Sequence, residues 1–163
     1  RMLTEGLAGN KFNGLFGIIN GTSNYILSEM AKSHISFAEA LRAAQEKGYA
    51  ETLSGRRRYL KNINSNNRVV RQFEERVAIN MPIQGTAADM IKLAMINIHK
   101  ELTKKKTKTK MILQVHDELV FDAHKDEIDE LLPVIKKLME NALPLKVPVV
   151  AETGVGDNWL DAH

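Results

Sequence analysis

The sequence predicts a mixed α/β chain of the α+β kind, with helices packed on a small antiparallel sheet. Three observations predict it. Two short runs of strand composition, Met111-Ile112-Leu113-Gln114-Val115 and Leu119-Val120-Phe121, flank His116-Asp117-Glu118 as the arms of a β-hairpin. Apolar residues recur at helical spacing on both sides of that hairpin, through 68–81, 86–98 and 128–139. A chain of 163 residues is long enough to bury a core without a disulfide or a structural metal, and it holds no cysteine.

Taken in order, residues 1–51 read as a short α/β segment. Leu15-Phe16-Gly17-Ile18-Ile19 has strand composition, Asn20-Gly21 breaks it, and Thr22 or Ser23 can cap a helix over 24–30. A second helix is marked by Ser36 and Glu39 as a capping box, by the stripe Phe37, Ala40, Leu41 and Ala44, and by Gly48 at the left-handed C-terminal position. Farther on, Arg68, Gln72, Arg76, Asn80 and Gln84 recur every four residues and form one polar row, neighbours ~6 Å apart at the helical rise. Val70, Phe73, Val77 and Met81 form the expected core side. Pro82 removes a hydrogen bond to the Ala78 carbonyl and should kink or break the helix, with Thr86 and Asp89 capping a new one through Ile98. Lys125 opens an acidic helix that runs to about Met139 or Leu143, and residues 147–152 are expected as a last strand beside the hairpin. Trp159 reads as a packing anchor.

Charge is distributed unevenly. Between residues 52 and 110 there are fourteen Lys and Arg against four Asp and Glu, whereas residues 111–163 carry four against eleven. A block that basic suits a polyanion, because neutralising phosphates releases condensed counterions. The run Lys104-Lys105-Lys106-Thr107-Lys108-Thr109-Lys110 is equally well read as a solvated connector. No cysteine means no thiolate metal site and no thiol nucleophile. No apolar run is long enough to span a bilayer and no signal peptide is present, so a cytoplasmic protein without membrane partners is expected. The chain starts at Arg1, and a fragment of a longer protein is expected.

Three groups of residues carry candidate chemistry. Asp117 and Glu118, at a tip held by two apolar strands, have the placement of metal-binding carboxylates, against the alternative of a solvated turn. Arg, Gln and Asn in the polar row all donate hydrogen bonds, and every base pair presents acceptors in the minor groove. Such a row suits a protein that senses duplex shape without reading sequence. Arg56, Arg57 and Arg58 form a candidate phosphate-gripping turn, or simply a basic one.

Two resemblances sharpen these readings. Gly17-Ile18-Ile19-Asn20-Gly21-Thr22-Ser23-Asn24-Tyr25-Ile26-Leu27 and Ala44-Gln45-Glu46-Lys47-Gly48-Tyr49-Ala50-Glu51 resemble the catalytic region of homoserine dehydrogenases, where Glu51 would bind the amino-acid substrate. The family's following Asp-rich stretch and catalytic Lys are missing, as is a Gly-x-Gly-x-x-Gly nucleotide loop. From Glu46 onward, Glu51-Thr52-Leu53, Gly55-Arg56-Arg57-Arg58-Tyr59-Leu60, the run from Glu75-Arg76 to Asp89, and Val115-His116-Asp117-Glu118 are similar to the C-terminal palm of family A DNA polymerases, the bacterial DNA polymerase I type. The dehydrogenase resemblance ranks higher for residues 1–45, and the two meet at Lys47-Gly48-Tyr49-Ala50-Glu51, which suggests a chimeric or truncated chain. The expected division is therefore 1–51 and 52–163.

The polymerase resemblance implies template-directed DNA synthesis, with primer–template DNA and deoxynucleoside triphosphates as partners and Mg2+ as cofactor. It makes Asp117 the metal-bridging catalytic carboxylate, Glu118 an auxiliary acid and His116 a contact to the primer strand. Arg76, Asn80 and Gln84 become duplex contacts, with Arg56 and Arg57 as further DNA-binding residues. One aspartate cannot hold two ions, and the family's other essential Asp and its nucleotide-binding helix would lie before residue 1. The isolated chain is therefore expected to be inactive. The alternatives are a non-catalytic DNA-binding fragment and a homoserine dehydrogenase remnant.

Overall fold

The computed structural model describes residues 37–145, 148–158 and 161–162. The strand expected over 15–19, the helix over 24–30, the Ser36 cap, Trp159 and most of the 1–51 segment lie outside the described residues. The described chain divides into two compact units, 37–89 and 90 onward.

In the first unit, helix α1 (Phe37–Lys47) ends where Gly48 turns left-handed, φ 71°, and the Gly48 N–H closes on the Ala44 carbonyl at 2.9 Å. That reversal leads into an antiparallel hairpin of β1 (Tyr49–Glu51) and β2 (Arg57–Tyr59), with Glu51 opposite Arg57. Helix α2 (Arg68–Asn80) follows, and the Asn67 side chain caps it by accepting from the N–H groups of Val69 and Val70. Ala44, Ala50, Leu60, Ile63, Ala78 and Met81 make the core of this unit.

Two expectations for this region are corrected. Phe73 is not a core residue but is 53 % exposed, and Val69 beside it is 76 % exposed. At about 100° per residue the buried arc of α2 is centred on Val77, Ala78 and Met81, and Phe73 falls off its edge. Pro82 does not break the helix either. The chain widens into a π turn (Met81–Gly85) that accommodates the missing donor and continues directly as α3 (Thr86–Lys105). Thr86 is accordingly no N-cap: it has helical backbone angles, φ −65° and ψ −42°, and its hydroxyl donates to the Pro82 carbonyl.

In the second unit, β3 (Lys110–Val115) and β4 (Glu118–Asp122) form the expected hairpin, but Glu118, expected at its tip, already belongs to β4 and lies opposite Val115. A bulge between Met111 and Leu113 pushes Ile112 out of register. Leu119 and Phe121 of β4 are packed between Ile91, Ala94, Ile98 and Leu102 of α3 and Leu131, Ile135 and Met139 of helix α4 (Ile128–Glu140). Ahead of α4, a 3-10 turn (Lys125–Glu127) aims the Glu127 carboxylate at the Lys108 and Thr109 N–H groups, both at 3.0 Å, and at the Thr109 hydroxyl at 2.7 Å. The lysine run 104–110 is a connector: α3 ends in it, Lys106 turns left-handed at φ 53°, and β3 begins at Lys110. Pro133 is held inside α4.

The last strand expected over 147–152 is not formed among the described residues. Pro148 has no N–H for a ladder, and the N–H of Ala151, a fully buried residue, is taken by the Glu140 side chain at 3.1 Å. No helix among the described residues is long and apolar enough to cross a membrane.

Candidate nucleic-acid interface

Arg68, Gln72, Arg76 and Asn80 are all exposed along α2, so the four-residue spacing does produce one solvent-facing row. Gln84 extends it from within the π turn, where Met81, Ile83 and Gly85 are buried and only Gln84 is fully exposed. The π turn adds a residue to the helical repeat and so redirects Gln84 relative to a straight continuation of α2. Arg71 pairs with Glu75 at 3.7 Å, but Arg68 and Arg76 have no acidic partner among the described residues.

The β1–β2 hairpin presents its three arginines differently. Arg57 lies 2.6 Å from Glu51 across the strand pair and 4.6 Å above the Tyr49 ring. The hydrogen bond that Arg57 donates to Glu51, helped by Tyr49 and by the Glu51 charge, holds the Arg57 guanidinium even more firmly protonated than usual. Glu51, the residue aligned with a dehydrogenase substrate contact, is thus engaged by Arg57. Arg56 commits Nε to Asp89 at 2.7 Å and Nη2 to the Gly85 carbonyl at 3.0 Å. Arg58 is exposed with no acidic partner among the described residues.

Asp89 is the residue that sequence reasoning misplaced. Read as half of a capping box, it is instead 8 % exposed and accepts hydrogen bonds from Thr52 at 2.7 Å, from Ser54 and from Arg56. Burial pushes its carboxyl up, but the hydrogen bonds from Ser54, Thr52 and Arg56 and the Arg56 charge outweigh this and hold it below the ordinary carboxylate range. A usable signal was present. An Asp directly followed by Met90 and Ile91 sits on the buried side of its helix, and the alternation Thr52, Ser54, Arg56 supplies three donors to meet it.

His116 and Asp117 are the two residues between the hairpin strands, in the second unit. His116 has φ 53°, the left-handed geometry of a tight hairpin turn, and its carbonyl accepts from Gln114 Nε2 at 2.9 Å. The side chain of His116 is exposed, and Asp117 and Glu118 are half-buried. Two adjacent carboxylates are the oxygen donors that a hard divalent cation prefers. No group of three or more His, Cys, Asp or Glu is positioned for a metal among the described residues.

The DNA polymerase family A model matches residues 32–161, four-fifths of the sequence. The chain belongs to DNA polymerase family A. Curated relatives of this family include the DNA polymerase I of Streptococcus pneumoniae TIGR4, 42 % identical over 166 residues, a match covering 90 % of this chain and 19 % of that protein. Another is the DNA polymerase I of Deinococcus radiodurans, 52 % identical over 114 residues, covering 70 % and 12 %. Among solved structures, the POL domain of Pol1 from M. smegmatis in complex with DNA primer–template and dNTP superposes with a TM-score of 0.75 and 43 % identity, covering 77 % of this chain and 22 % of that one. The chain thus spans about a fifth of the length of the family A relatives it matches. A homoserine dehydrogenase model matches residues 1–55 only. The 90 % coverage by family A relatives reaches upstream of residue 46, so the polymerase likeness extends into the stretch where the dehydrogenase resemblance ranked higher.

Proposed function

We propose that the chain is the duplex-binding C-terminal part of a family A polymerase palm, serving template-directed addition of nucleotides to a primer 3′ end and inactive alone. The observation that carries this reading is the exposed row Arg68, Gln72, Arg76, Asn80 and Gln84, whose two arginines have no acidic partner among the described residues. In this reading Arg76, Asn80 and Gln84 donate to minor-groove acceptors, and Arg68 supplies charge to the phosphates. Arg57 and Arg56 flank the duplex from the hairpin, with part of their charge offset by Glu51 and Asp89, and Arg58 offers its full charge. His116 contacts the primer strand. Asp117, with Glu118 beside it, is where this chain would hold a divalent ion such as Mg2+. That ion, when bound, favours the ionised primer hydroxyl and offsets charge on the departing pyrophosphate. The half-site completes no centre by itself, so the reaction needs carboxylates and a deoxynucleoside triphosphate site from elsewhere in a polymerase. The setting for such work is the cytoplasm.

The test is binding and extension on one substrate. A fluorescein-labelled primer–template duplex is titrated with the 163-residue chain, then supplied with dNTPs and Mg2+. Binding without nucleotide addition is expected. Absence of binding overturns the duplex role, and Mg2+-dependent addition abolished by Asp117→Asn overturns the claim that the chain is inactive alone.

A further inference from the structure

None of the roles assigned to DNA or metal uses the buried Asp89 carboxylate, yet both of its oxygens are occupied. Oδ2 accepts from the Thr52 hydroxyl at 2.7 Å and from the Ser54 hydroxyl, and Oδ1 accepts from Arg56 Nε at 2.7 Å. Arg56 extends the connection, since its Nη2 donates to the Gly85 carbonyl at 3.0 Å. A parallel strut runs from the Leu53 N–H to the Thr86 hydroxyl at 3.0 Å, and that hydroxyl in turn donates to the Pro82 carbonyl. The two segments are also in steric contact: a Cβ placed on Gly85 would lie 2.6 Å from the Thr52 methyl. The 52–56 turn, which Asp89 gathers through Thr52, Ser54 and Arg56, is therefore bound to the π turn that carries Gln84 through Arg56 and through the Leu53–Thr86 strut.

We infer that Asp89 is a positioning residue, which fixes the π turn through Arg56 and the 52–56 turn and so sets the direction in which Gln84 meets the duplex. This rests on the duplex-binding reading above. The chemistry requires a carboxylate. Three donors converge on two oxygens, and an asparagine would keep one acceptor and turn an NH2 group toward one of those donors. Pro82 supplies no N–H to this π turn, and two of its carbonyls are held from outside the helical ladder, Gly85 by the Arg56 guanidinium and Pro82 by the Thr86 hydroxyl. The Asp89 side chain contacts no part of the row itself, so its effect on Gln84 must pass through Arg56 and the π turn.

The test compares the full chain with Asp89→Asn, Gln84→Ala and the double variant against a fluorescein-labelled primer–template duplex. Each single substitution is expected to weaken binding about two- to tenfold, the loss of one hydrogen bond's net worth. The double variant is expected to bind no more weakly than Gln84→Ala alone, because both remove the same contact. Losses that multiply would overturn the inference, since an effect through the Arg56 charge alone, or a general loss of stability, would act independently of Gln84. Ser54→Ala, at an exposed position, removes one of the three donors and carries the same comparison if Asp89→Asn does not fold. Amide hydrogen exchange separates this inference from the duplex reading. If the wild-type chain binds no duplex, the positioning link still predicts that Asp89→Asn speeds exchange at 52–56 and 83–86 together while α4 keeps its protection. Loosening of only one segment, or of α4 as well, would overturn it.

Discussion

His116 lies in the left-handed region, φ 53°, as the first of the two residues that close the β3–β4 hairpin. Replacing it with glycine gives a sign that can be worked out in advance. A non-glycine residue in this conformation costs roughly 1–2 kcal/mol. Glycine removes that cost but loses about 0.4–1 kcal/mol through the extra freedom of the unfolded chain. The hydrogen bond from Gln114 Nε2 goes to its backbone carbonyl and survives the change. The net is a gain of about 0.5 kcal/mol, or ~1–2 °C in Tm for a chain of this size. His116→Val, with a β-branched side chain in the same backbone, should lose stability, and His116→Asn should be close to neutral. Thermal melts followed by circular dichroism read all three. A loss of more than about 3 °C for His116→Gly would show that the imidazole has a packing role, and the argument that this position is kept for contact with a ligand would fail.

Other outcomes follow from the same geometry. Phe121→Ala, at a fully buried site between α3 and α4, should cost about 3–5 kcal/mol by chemical denaturation. Phe73→Ser should leave stability nearly unchanged because the ring is already in water. Asp89→Ala should cost about 2–3 kcal/mol, at the low end for breaking a buried pair because the Arg56 side chain is 46 % exposed and can rehydrate. Asp89 and Glu127 both have depressed carboxyl pKa values in the fold, Glu127 through the Lys108 N–H and then the Thr109 hydroxyl and N–H. Their stabilisation is complete above the unfolded carboxylate pKa and is lost as pH falls through the folded values, so Asp89→Asn and Glu127→Gln should each flatten the fall in Tm below about pH 5.

Where a local rule and the tertiary environment agreed, the fold could be read from sequence. Gly48 ends α1 because only the left-handed turn fits there, and the arms of the Asp117 hairpin follow from strand composition, although the turn proves one residue shorter than His116-Asp117-Glu118. The exposed row on α2 was readable from its spacing alone. What the sequence hid was decided by partners distant along the chain. Pro82 should interrupt a helix, yet the π turn and the Arg56 bond to Gly85 carry the chain through it. Asp89 satisfied a capping pattern with Thr86, but its real partners lie more than thirty residues upstream. Phe73 matched an apolar stripe, and only the packing of Ala78 and Met81 shows which arc of the helix is covered. Residues 147–152 had strand composition, but Glu140 takes the Ala151 N–H that a ladder would need.

The central claim is that the row on α2 binds duplex DNA through its arginines, and the salt dependence of binding tests it most directly. Fluorescence anisotropy of a labelled primer–template duplex, titrated with the 163-residue chain across a range of salt concentrations, should give an affinity whose logarithm falls linearly with the logarithm of salt. Arg76→Ala should weaken binding to all sequences alike, with a slope shallower by up to about one, depending on whether Arg76 meets a phosphate or a base edge. A flat salt response, or an Arg76→Ala variant that binds as tightly as the wild type, would contradict the account.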